Sequence, residues 1–121
     1  MSDPFVVETS TVQIAAGQSL SPEVDVGPKD LVGIIVPANW TTAAITLQAS
    51  IDGVTWNELV DQTATAVGCS SLTGGTLSYF VAVDPTKLRG VQALKVRSGT
   101  QAVPVVQAAQ VTLTIVRRYV S

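Results

Sequence analysis

Two carboxylates flanking a glycosidic bond can cleave it, one as acid and the other as base or nucleophile, and Asp52, Glu58, Asp61 and Asp84 are the residues of this chain that fit those roles. Each also has a structural reading. Asp52 precedes Gly53 in a turn, Asp84 precedes a proline at the start of a helical turn, and Glu58 and Asp61 fall where a strand meets a loop. The 121 residues contain no histidine, which removes the commonest general base and zinc ligand and excludes Ser-His-Asp and Cys-His nucleophilic catalysis. The single cysteine, Cys69, cannot close an intramolecular disulfide and has no histidine to activate its thiol, so it reads as a small loop or core residue. Calcium is the one metal the composition suits, yet no D-x-D-x-D-G loop is present, and the Gly74-Gly75 pair is a turn rather than a phosphate cradle. The expectation is a protein without catalysis, cofactor or metal.

Aromatic side chains are few. Trp56 alternates with Val54 and reads as a core residue, whereas Trp40 lies beside a loop and is open between a core position and an exposed ring that stacks on a sugar. Asn39-Trp40-Thr41 matches a glycosylation sequon, but the opening residues MSDPFVVETS have neither the basic nor the apolar region of an export signal, so the match reads as chance.

Apolar and β-branched residues alternate with period two along the chain, and no stretch sustains helical spacing, so the fold class is all-β. Strands are expected over residues 5–14, 20–26, 31–37, 41–50, 54–60, 76–83, 91–98 and 109–120. A further short strand is expected near 65–67, within a Ser-, Thr- and Gly-rich loop over 61–75. Pro22 marks residues 20–26 as an edge or a bulge, and LVGIIVP (31–37), apolar on both faces, suits a central strand. In residues 41–50, Ile45, Leu47 and Ala49 share one face and Thr46, Gln48 and Ser50 the other, the pattern of a half-buried strand leading into a tight Asp52-Gly53 hairpin. DPTKLRG (84–90) predicts one helical turn near 85–89, opened by Asp84 and Pro85 and stopped by Gly90. So many short strands predict an antiparallel β-sandwich. One domain is expected, residues 17–121, with residues 1–16 as an N-terminal arm or edge strand.

Charged residues make up only 13% of the chain. Such a surface must be Thr, Ser, Gln and Ala, or be covered by other subunits. Residues 1–61 hold eight of the nine acids and one base, and residues 62–121 hold six bases and one acid, which is −7 against +5. Either the halves neutralise each other within the domain, or acidic and basic faces meet between subunits. Seven bases and few aromatics make neither a phosphate-tracking stripe nor a stacking platform, so nucleic acid is disfavoured as a partner. No apolar run reaches membrane-spanning length.

The order PANW (37–40), AAITLQASIDGVTW (43–56), LKVRSGT (94–100) and a closing strand to about residue 116 resembles a group of small virion structural proteins of tailed bacteriophages and prophages. The likeness covers roughly residues 17–116. The S-x-D-G-x-x-W hairpin is also similar to one in galactose-binding-like jelly rolls of discoidin type, with ALKVRS (93–98) where those folds pack a later strand against it. The resemblance implies a jelly-roll sandwich with Trp56 turned inward. It also implies a capsid decoration or cement protein, assembled in the host cytoplasm, which sits on the capsid surface against the major capsid protein, often as a trimer. Candidate subunit or capsid contacts are Phe5, Val6 and Val7 in the N-terminal segment, Trp40, and the paired bases Arg117 and Arg118. The alternative is a tail- or fibre-associated carbohydrate-binding module acting through Trp40 and the loops at 61–75 and 99–108.

Overall fold

A computed structural model describes residues 7–26, 29–75, 77–88 and 90–118. Among the described residues are nine strands, β1 (Glu8–Ile14), β2 (Val24–Asp25), β3 (Asp30–Val36), β4 (Ala43–Ser50), β5 (Asn57–Glu58), β6 (Cys69–Leu72), β7 (Tyr79–Ala82), β8 (Ala93–Ser98) and β9 (Val111–Arg118), and one 3-10 turn, Pro85–Leu88, between β7 and β8. They form two antiparallel sheets, one of four strands in the order β1-β9-β3-β7 and one in the order β2-β8-β4-β5, with β6 also on β4. The molecule is therefore a β-sandwich. The chain crosses from one sheet to the other at nearly every connection, and only β4, β5 and β6 follow one another within a sheet.

Alternation decides what lies between the sheets. Ile14, Leu113 and Ile115 from the four-stranded sheet meet Ile45, Leu47, Leu94 and Val96 from the other, all essentially fully buried. The apolar run of β3 has a specific cause: the register with β9 shifts between Leu31 and Gly33, so one extra residue changes the parity of the strand. Leu31 then faces inward together with Ile34 and Val36, and β3 lies between β9 and β7 as a central strand should. Its outer face is roofed in part by β7. The Phe80 ring lies so close over Gly33 that a Cβ there would overlap it.

Several strands are shorter than their patterns predict. Around Pro22 the pairing with β8 is broken into the two residues Val24–Asp25 and an isolated bridge from Leu20 to Arg97, because a residue without an N–H cannot extend the ladder. The Asp52-Gly53 turn is not a two-residue hairpin: β4 and β5 pair through Gln48–Glu58 and Ala49–Asn57, so residues 50–56 form a wider loop. Within it the Ser50 hydroxyl donates to Asp52 Oδ1 at 3.0 Å and accepts from the Gly53 N–H at 2.8 Å, while the N–H groups of Val54 and Thr55 donate to Asp52 Oδ1 at 2.8 and 2.9 Å. Gly53 takes φ +77°. The short strand expected near 65–67 lies instead at Cys69–Leu72, and Ala66 makes only an isolated bridge to Val60. Strands β5 and β6 pair with opposite ends of β4, so the edge of that sheet is one broken strand with the excursion 59–68 between its halves.

Candidate functional site

Strand parity puts Thr46 and Gln48 of β4, and Lys95 and Arg97 of β8, on the outer face of the five-stranded sheet, with Thr46 opposite Arg97 and Gln48 opposite Lys95. Glu58 of β5 joins them beside Gln48. The Arg97 guanidinium donates through Nη1 to Glu58 Oε2 at 3.0 Å and through Nη2 to Glu58 Oε1, a bidentate pair, and through Nε to Thr46 Oγ1 at 3.1 Å. The Thr46 hydroxyl in turn donates a hydrogen bond to the Gly99 carbonyl at 2.8 Å, and Gln48 Nε2 donates to Glu58 Oε2 at 2.9 Å. The Lys95 ammonium sits 4.5 Å from the centre of the Trp56 ring.

The Thr46–Arg97 end of this face is not half-exposed, as the pattern of β4 predicts, although Gln48 and Lys95 are. Loops 59–66 and 99–105 fold over it, leaving Thr46 only 6% and Arg97 only 7% exposed. Two adjoining hollows remain between the loops, of about 230 and 440 Å³, sharing Thr46, Ala66 and Thr100. The half-buried Cys69 lines the larger one. The loops that the sequence proposes as a binding surface are thus brought together. The polar groups beneath them already satisfy one another, so a ligand entering the hollows would meet few open donors or acceptors.

The carboxylates are committed one by one to local partners. Hydrogen bonds from Arg97 hold Glu58 below its ordinary value, and the backbone N–H groups of Thr55 and Val54 lower Asp52. Asp61 Oδ1 accepts from the Thr63 hydroxyl at 2.6 Å and from the N–H groups of Thr63 and Thr65 at 2.8 and 3.1 Å. These bonds, the Thr63 hydroxyl first, bring Asp61 from 3.8 to about 2. Lys87, on the 3-10 turn, reaches Asp61 Oδ2 at 3.5 Å. A carboxyl held below its usual range is a poor proton donor near neutral pH, whereas glycoside cleavage needs one that is raised. Asp84 opens the 3-10 turn, its carbonyl accepting from Lys87 N at 3.2 Å. Among the described residues no three His, Cys, Asp or Glu side chains gather as a metal site would require.

Of the two tryptophans, the one the sequence leaves open is the core residue, and Trp56, which its alternation assigns to the core, is not. Trp40 is 2% exposed, closing the core at the turn between β3 and β4, and its ring cannot stack on a sugar or touch a neighbouring subunit. Trp56 stands outside β5, half-buried beneath Lys95, and Val54 is 79% exposed at the loop tip. Of the other candidate contacts, Val7 is exposed where the chain enters β1, and Phe5 and Val6 lie outside the described residues. Arg117 is half-buried and turned back on its own chain, donating to the Asp25 carbonyl at 2.6 Å and lying 4.0 Å from Glu8. Arg118, opposite Asp30 at the same end of the sheet, is also half-buried.

One residue that no sequence pattern marks does much of the positioning. Gln107 is fully buried; its side chain accepts from the Thr41 N–H at 2.8 Å and donates to the Thr41 carbonyl at 3.2 Å and the Ser98 hydroxyl at 2.7 Å. Its backbone accepts from Gly17 and donates to Gln18. Three loops are pinned on it.

No family model, curated protein or solved structure matches the chain.

Proposed function

We propose that the protein is a non-enzymatic structural component of a tailed-phage virion, a decoration or cement protein that binds the outer surface of the capsid and stabilises the head. The observation that carries this reading is the outer face of the four-stranded sheet. Strand parity places Thr9, Thr11 and Gln13 of β1, Thr112, Thr114 and Val116 of β9, Gly33 and Ile35 of β3, and Phe80 and Ala82 of β7 on that face. Among the described residues of these strands, charge on that face is confined to Asp30 and Arg118, opposite each other at its rim. Ile35 and Phe80 are 37% and 57% exposed on neighbouring strands. A broad face charged only at its rim, bearing exposed large apolar groups, suits burial against another protein better than it suits catalysis. Stabilisation by such a protein comes from buried area repeated by the symmetry of a shell. The alternation of the chain between the sheets supports jelly-roll connectivity, and the motif order carries the resemblance to phage proteins.

The test is co-sedimentation of the purified protein with expanded heads, lacking it, of the phage that encodes it. Saturable binding that raises the temperature at which the heads rupture is the expected result; no binding, or binding weakened neither by Phe80→Asp nor by Ile35→Asp, would sink the proposal. The carbohydrate alternative loses its aromatic with the burial of Trp40, and no other observation favours it.

A further inference from the structure

We propose that β1 is a self-recognition edge, and that two copies of the chain pair through it, antiparallel about a two-fold axis at Thr11, to make one continuous eight-stranded sheet. A free edge presents a row of backbone donors and acceptors that another strand can complete, and folded proteins protect such edges with proline, lysine, bulges or interruption. Three of the four edges carry such protection. β2 is two residues long and follows Pro22, β5 and β6 are broken by the excursion 59–68, and β7 is four residues long and runs into Asp84-Pro85. By contrast β1 runs seven residues in unbroken register with β9 and contains no proline, lysine or arginine.

Its sequence is also compatible with itself. An axis at Thr11 sets Thr9 against Gln13, Ser10 against Val12, Glu8 against Ile14 and Val7 against Ala15. No like charges oppose. The two Glu8 side chains fall six residues apart along the strand, about 20 Å, well beyond the roughly 8 Å over which charges interact at physiological ionic strength. Each Glu8 is moreover paired with Lys29 of its own chain. This register needs no choice about which backbone groups point outward, because it opposes residues of the same parity throughout. The outer-face residues that meet, Thr9, Thr11 and Gln13, are exposed and uncharged. Such a pair is isologous, so it replaces the three-fold symmetry implied by the resemblance, and it stands or falls without reference to any capsid.

Sedimentation equilibrium of the full chain tests it, with Thr11→Lys, Thr9→Lys and Thr11→Glu variants confirmed as folded by circular dichroism. The wild type is expected to be dimeric at roughly 100 µM. Thr11→Lys, which opposes two ammonium groups on the axis, is expected to weaken the dimer about five-fold or more. Thr9→Lys, opposite Gln13, brings no like charges together and is expected to weaken it less, and an equimolar mixture of the Thr11→Lys and Thr11→Glu chains restores it. A monomeric or trimeric wild type overturns the proposal, as does a dimer that Thr11→Lys leaves intact or that Thr9→Lys weakens equally.

Discussion

At the residue scale the molecule depends on a few buried polar groups whose partners are all supplied internally. Gln107→Ala strands the N–H and carbonyl of Thr41 and the Ser98 hydroxyl, and is expected to cost about 3 kcal/mol, since each buried group left without a partner costs about 1–3 kcal/mol and some water re-enters. A urea-denaturation midpoint measures it, and Gln107→Glu, which keeps the acceptor for the Thr41 N–H, should lose stability as well because it cannot donate. The tryptophans offer a second check. Iodide is expected to quench Trp56 and spare Trp40, so Trp56→Phe should abolish the quenchable part of the emission. Neither result could be anticipated from the chain alone. Gln107 lies in GTQAVPVVQA, which has no period to reveal a core position, and whether a tryptophan beside a loop points inward depends on which loops later fold over it.

At the scale of elements, what alternates in the sequence alternates in the structure. Ile45, Leu47 and Ala49, Leu94 and Val96, and Val111, Leu113 and Ile115 all face the core, because period-two burial is a local property of a strand. Register slips and interruptions were less legible. The bulge of β3 and the break between β5 and β6 arise from pairing with distant strands, and the Ser- and Thr-rich segment around Cys69 has little alternation to place it. The excursion at that break is held by Asp61, which gives it a pH dependence. The folded-state value is lowered from 3.8 to about 2, so the stabilisation is fully present above roughly pH 4 and is lost as pH falls toward 2. In urea midpoints measured from pH 6 downward, the wild type should exceed Asp61→Asn near neutrality and the two curves should converge near pH 2. Curves that stay parallel would show that Asp61 contributes nothing through its charge.

At the scale of the whole molecule, the repeated crossings between sheets mean that neither sheet can leave without unfolding the other. The charges are arranged to the same end: Arg97 with Glu58, Lys87 with Asp61 and Arg117 with Glu8 each tie a base from the second half of the chain to an acid from the first. The asymmetry of −7 against +5 is thus met, at least in part, inside the domain. Native-state hydrogen exchange should therefore find the amides of β3, β4, β8 and β9 opening with one common free energy, equal to that of global unfolding, while those of residues 59–68 open at much lower cost. Separate values for the two sheets would contradict a single cooperative unit.

The broken edge formed by β5 and β6 has a consequence for how large an assembly can grow. A sandwich receptive at both edges would add copies without limit and build a filament. With the excursion at Val60–Ala66 capping β5 and β6, and with β2 and β7 cut short, β1 is left as the one receptive edge among the described strands, so under the pairing proposed above growth by that route terminates at the first partner.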